Sequence, residues 1–173
     1  MTKQYPHGEG VVKWVDVQWL MEHINDEDLM ILDVQPNVHD YIKAHIPGAV
    51  YMNEGLLRVP REGLPAQYAP EQAVEANIRR VGLDPEVPVV VYTGKGLFKG
   101  WGDGLEQTMM AYTLARFGHN NVYVLDGGFE AWLGAAGARA QDFPSVQESR
   151  FGVTVRQDYF VEYDTFKMMK DRR

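Results

Sequence analysis

The stretch Thr93–Gly104, TGKGLFKGWGDG, holds the chain's densest set of groups able to bind a charged ligand. Backbone amides at Gly96 and Gly100, with the ammonium groups of Lys95 and Lys99, could hold sulfate, phosphate or a substrate carboxylate at the start of a helix. Nucleotide binding through a GxxxxGK[ST] loop is excluded, because Gly94 and Gly100 are not followed by Lys-Ser or Lys-Thr. Thr93 offers a hydroxyl, but a hydroxyl nucleophile needs a base and none is adjacent in sequence. Asp33, at the end of an apolar run, could be a catalytic carboxylate; capping the next turn or pairing with a cation is the reading favoured. His45, in HIPG, is expected to order its turn by hydrogen bonds, and Asp126, in LDGG, to serve a turn and the start of a helix.

Cysteine is absent from all 173 residues, which removes disulfides, thiolate metal sites and cysteine nucleophiles together. The five histidines are scattered, without the spacing of zinc ligands, so no metal is expected. Met109, Met110, Leu114 and Phe117 fall at helical spacing and read as core, so no cofactor is expected either.

The elements that must position these groups alternate. Val17, Leu20, Met21 and Ile24 mark a helix capped by Asp16. MILDV (30–34) reads as a buried strand, 38–44 as a short helix and 49–52 as a strand. The segment 55–68, broken by proline and glycine, reads as loop with a helical turn. A helix over 70–81 follows, with Gly82 as its C-cap. PVVVY (88–92) is apolar throughout, as a central parallel strand is. A helix over 105–117, a strand VYVL (122–125) and a helix over 129–133 complete the series. Strands alternating with helices predict a parallel sheet covered on both faces, with ligands beyond the carboxyl ends of its strands.

A net charge of −7 argues against nucleic-acid or anionic-membrane partners. Neither a membrane-length apolar run nor a signal-like start is found, so the cytoplasm is the expected setting. Near the end, Phe160–Phe166 resembles Trp14–Leu20 at an offset of 146 residues, about one domain length.

Three segments together resemble the rhodanese superfamily. They are ILDVQ (31–35) with Tyr41 and HIPGAV (45–50), then PVVVY (88–92), then FGH (117–119) with VYVLDGGFEAW (122–132). The resemblance implies an α/β fold with a five-stranded parallel sheet flanked by helices on both faces. It also implies a persulfide-forming cysteine directly after the aromatic residue of PVVVY, cradled by backbone N–H groups. Thr93 occupies that position, and no catalytic residue is expected here. Tandem sulfurtransferases of this family pair a cysteine-less N-terminal half with a catalytic C-terminal half, and the chain resembles the former. On that basis residues 1–12 form a polar arm, 13–140 the rhodanese-like domain, and 141–173 a linker and the start of a truncated second repeat. Phe98 and Trp101 then become anchors towards a second rhodanese domain, covalent or in trans. The resemblance also brings Arg58 and Arg61 near a substrate entrance, with solvated surface charge as the plain alternative. The main expectation is a noncatalytic domain of a thiosulfate or 3-mercaptopyruvate sulfurtransferase. The rival is a stand-alone module whose 94–104 loop binds an anion or a protein; a phosphatase-like relative ranks last, because that mechanism needs a cysteine too. Self-association as a homodimer, with residues 153–173 exchanged between copies, is a further expectation.

Overall fold

The computed structural model describes residues 4–96 and 104–171. Its chain order is β1 (Val12–Val15), α1 (Val17–His23), β2 (Met30–Asp33), α2 (Val38–Lys43), β3 (Val50–Tyr51), β4 (Arg58–Arg61), β5 (Leu64–Tyr68), α3 (Glu71–Arg80), β6 (Val89–Tyr92), α4 (Leu105–Arg116), β7 (Val122–Leu125), α5 (Gly128–Gly134) and α6 (Tyr163–Asp171). Five strands form one parallel sheet in the order β1-β7-β6-β2-β3, as the alternation of elements predicts.

Strand β6 shows why the sheet needs cover on both sides. All four of its residues are buried, and consecutive side chains enter opposite cores. Val89 and Val91 join Val74 and Ile78 of α3 and Met110 and Leu114 of α4. Val90 and Tyr92 join Val17 and Leu20 of α1 and Phe129 and Trp132 of α5. The helices cover both faces, and the carboxyl ends of β6 and β7 open between the starts of α4 and α5.

Three boundaries differ from the sequence reading. Val12, the last residue of the supposed arm, already opens β1, an edge strand paired in register with β7. The backbone of His7 turns back on Trp14 of that strand through two hydrogen bonds. The segment 55–68 is not loop: after a 3-10 turn at Glu54–Leu57 it forms the antiparallel hairpin β4–β5. Glu62 and Gly63, both at positive φ, make its two-residue turn. Pro60 and Pro65 are tolerated because the hairpin is a separate two-stranded ribbon.

The third difference is at residue 140, where packing does not end. Phe151 is fully buried in the core beside α3 and α4. Around it, Ser149 N–H donates to Arg79 O, Thr154 N–H to Phe117 O and Arg156 N–H to Arg116 O. The Arg156 guanidinium donates to Ala115 O, His119 O and Asn120 Oδ1. Residues 149–156 are therefore a strap of this domain. The tail keeps the expected offset: α6 starts at Tyr163, 146 residues after Val17, where α1 starts. Its apolar residues Tyr163, Phe166, Met168 and Met169 are exposed. Among the described residues no helix is long and apolar enough to cross a membrane.

Candidate functional site

Strand β6 delivers Thr93 to the carboxyl end of the sheet, where the backbone leaves extended geometry. Thr93 is 3% exposed, and its Oγ1 has no hydrogen-bond partner among the described residues. Its N–H donates to Gln107 Oε1 on α4 at 3.1 Å, and its carbonyl accepts from Phe129 N–H on α5 at 2.9 Å. The contact with α5 depends on Gly128, which has φ +57°; a Cβ there would stand 2.4 Å from Thr93 O. Two residues on, Lys95 N–H donates to Glu130 Oε1 at 2.7 Å. A cleft of about 370 Å³ opens beside this turn, lined by Thr93, Gly94, Lys95, Gln107, Asp126 and Glu130, with Trp14 of β1 on one side.

Asp126 reaches this cleft in a role the sequence did not suggest. It does not cap α5, whose N-cap is Gly127 with no side-chain hydrogen bond. Its Oδ2 instead accepts from the Tyr5 hydroxyl at 3.0 Å, which ties the N-terminal segment to the cleft wall. Burial is the largest cause of a raised Tyr5 pKa, followed by that hydrogen bond.

Behind the cleft lies a buried polar layer. Asp33 is fully buried, in register with Tyr92 across β2 and β6. Its Oδ1 accepts from Gln35 N–H, and its Oδ2 accepts from Gln35 Nε2 and the Tyr92 hydroxyl. Ile46 N–H, inside HIPG, donates to that same hydroxyl. Asp33 therefore caps a turn, as favoured; its hydrogen-bond partners are these neutral groups rather than a cation. Burial pushes its carboxyl up to about 6, against the opposing pull of the Tyr92 hydroxyl and the Gln35 donors. Tyr92 is pushed well above the ordinary tyrosine range by burial and by the adjacent Asp33. His45 stacks on Tyr41 with ring centroids 4.1 Å apart. Its Nδ1 lies 2.7 Å from Tyr41 O and its Nε2 2.9 Å from Asp142 O, so it orders the turn and fastens residues 140–142 to it.

Arg58 is not part of this cleft. Its Nε lies 2.7 Å and its Nη2 2.6 Å from Glu54 Oε1, and its guanidinium stacks 3.7 Å from the Tyr68 ring centroid. It is a structural ion pair at the base of the hairpin, and Arg61 is exposed near the hairpin turn. Lys95 borders the cleft, whereas Gly96 sits at φ +73° against Asp40 beside a smaller cavity. Phe98, Lys99, Gly100 and Trp101 lie outside the described residues. Sequence reading missed Gln107 and Glu130. Both are polar positions in the first turn of a helix, and only tertiary contact turns them back onto the loop.

The position of the loop, the HIPG turn and the LDGG turn around one sheet end agrees with sequence comparison. A family model for the rhodanese-like domain matches residues 16–135. The chain belongs to the rhodanese-like domain family. Within it, this unit is related to thiosulfate/3-mercaptopyruvate sulfurtransferases. The mitochondrial thiosulfate/3-mercaptopyruvate sulfurtransferase 1 of Arabidopsis thaliana is 33% identical over 126 residues, covering 68% of this chain and 31% of that protein. The 3-mercaptopyruvate sulfurtransferase of Escherichia coli is 28% identical over 131 residues, covering 69% of this chain and 43% of that protein. The crystal structure of SseA from Escherichia coli shares the rhodanese fold, with a TM-score of 0.79 at 23% identity over 91% of this chain and 61% of that one. The chain spans about half, or less, of the length of these curated relatives.

Proposed function

We propose that this rhodanese-like unit is a noncatalytic part of a thiosulfate or 3-mercaptopyruvate sulfurtransferase, working with a second rhodanese-like unit that carries the persulfide cysteine. The observation that carries the reading is Thr93 at the end of β6. Sulfane-sulfur transfer requires a thiolate that attacks the donor, holds the sulfur as a persulfide and releases it to an acceptor. A threonine hydroxyl ionises far above neutral pH and cannot hold a sulfane sulfur. Thr93 Oγ1 also has no base against it among the described residues, and the 173 residues contain no thiol.

Two features support a second unit. The tail repeats the start of the domain and turns helical at the corresponding residue, with its apolar side chains uncovered. The relatives are also at least about twice as long as the matched region. Binding of a free anion by the 94–104 loop is the weaker reading, since the Lys95 amide is already engaged by a carboxylate.

The test is sulfur transfer from thiosulfate or 3-mercaptopyruvate to cyanide by the purified chain, followed as thiocyanate. No turnover above the uncatalysed rate is expected. Turnover with labelled sulfur retained on this chain would overturn the proposal.

A further inference from the structure

The cleft at the end of β6 gathers groups that ordinarily attract an anion. Helix α4, 12 residues long, has Gly104 as its N-cap with no side-chain cap bond, and Gly104, Gln107 and Thr108 line the cleft, so its positive end faces that space. Lys95 borders the same space. Yet the chain supplies its own oxygens to two backbone amides beside this space, those of Thr93 and Lys95. Glu130 reaches from α5 to place Oε1 2.7 Å from the Lys95 amide, and Gln107 Oε1 takes the Thr93 amide. Asp126 adds a second carboxylate to the cleft wall.

We infer that Glu130 is a resident anion: its carboxylate occupies the Lys95 donor and makes this cleft refuse small free anions such as sulfate, phosphate and thiosulfate. An amide-to-carboxylate bond is charge-assisted, so a neutral group displaces it poorly, and an incoming anion meets both a filled donor and a like charge. Glu130 is thus the specificity-determining residue of the cleft. The inference needs neither a second unit nor any sulfur transfer, so it can stand or fall apart from the proposed function.

The experiment is calorimetric titration of sulfate and thiosulfate into the whole chain, into Glu130→Ala and into Glu130→Gln, with amide NMR at Lys95 as a site-specific readout. Wild type should show no saturable sulfate uptake. Glu130→Ala should bind sulfate about tenfold or more tighter than wild type, with a shift of the Lys95 amide signal on titration. Glu130→Gln, which keeps an acceptor but loses the charge, should fall between them. Thermal melts establish that each variant is folded; should Glu130→Ala fail to fold, Glu130→Gln decides by gain or no gain over wild type. Wild-type binding as tight as that of the folded variants, or no uptake by any folded variant, overturns the inference.

Discussion

Replacing Asp33 with Asn should make this domain lose stability in mild acid, because two buried groups now oppose one another. Asp33 titrates near 6 in the folded chain, against 3.8 for an ordinary aspartate, chiefly through burial. A raised carboxyl favours folding in its protonated form. Its contribution is complete below pH 3.8 and is lost as pH rises through 6, by about 3 kcal/mol at 1.36 kcal/mol per unit. His119 has the opposite sign. It is fully buried, and burial pushes its imidazole down to about 4 from 6.5. That contribution is present above pH 6.5 and is lost as pH falls through 4, again by about 3 kcal/mol. In the native chain the two slopes largely cancel between pH 4 and 6.5. In Asp33→Asn the His119 slope stands alone. Urea unfolding at several pH values across that window gives the test, with the stability of Asp33→Asn minus that of wild type as the quantity of interest. This difference removes every other titrating group and any constant cost of the altered hydrogen bonds. It should rise by about 3 kcal/mol from pH 4 to pH 6.5. Parallel profiles, with a constant difference across the window, would refute the reasoning.

Two further outcomes follow from the packing. Thr93→Cys should place a thiol at the end of β6 without producing sulfur transfer, since the surrounding amides remain bound to Gln107 and Glu130; steady thiocyanate production by this variant would show that the loop is competent as it stands. Phe151→Ala should cost about 3–5 kcal/mol in chemical denaturation, as for a buried aromatic in a shared core; a loss below about 1 kcal/mol would return residues 149–156 to the status of a detachable linker.

Much of the domain was legible locally. The runs MILDV, PVVVY and VYVL announce buried strands because a parallel strand is covered on both faces and carries no polar alternation. Asp16 and Gly82 bracket their helices through chemistry within a few residues. The hairpin β4–β5 escaped because its turn, Glu62-Gly63, is not one of the strong asparagine- or aspartate-glycine signals, and its strands are largely exposed and hold proline. The strap escaped because Phe151 becomes a core residue only when residues 149–156 meet α3 and α4, and no local pattern marks that meeting.

At the site itself, the sequence alone determined that sulfur chemistry has no thiol here. Composition decides that, and the resemblance of the PVVVY segment to its family makes Thr93 the expected place of the missing cysteine. Tertiary structure decided what the loop does with its donors. The side chains that fill them come from α4 and α5, 14 and 35 residues along the chain from Thr93 and Lys95. A carboxylate and an amide group at those separations carry no signal in sequence, because hydrogen bonding is set by distance in space. The fold sets the carboxylate of Glu130, on α5, against the backbone amide of Lys95 in the loop.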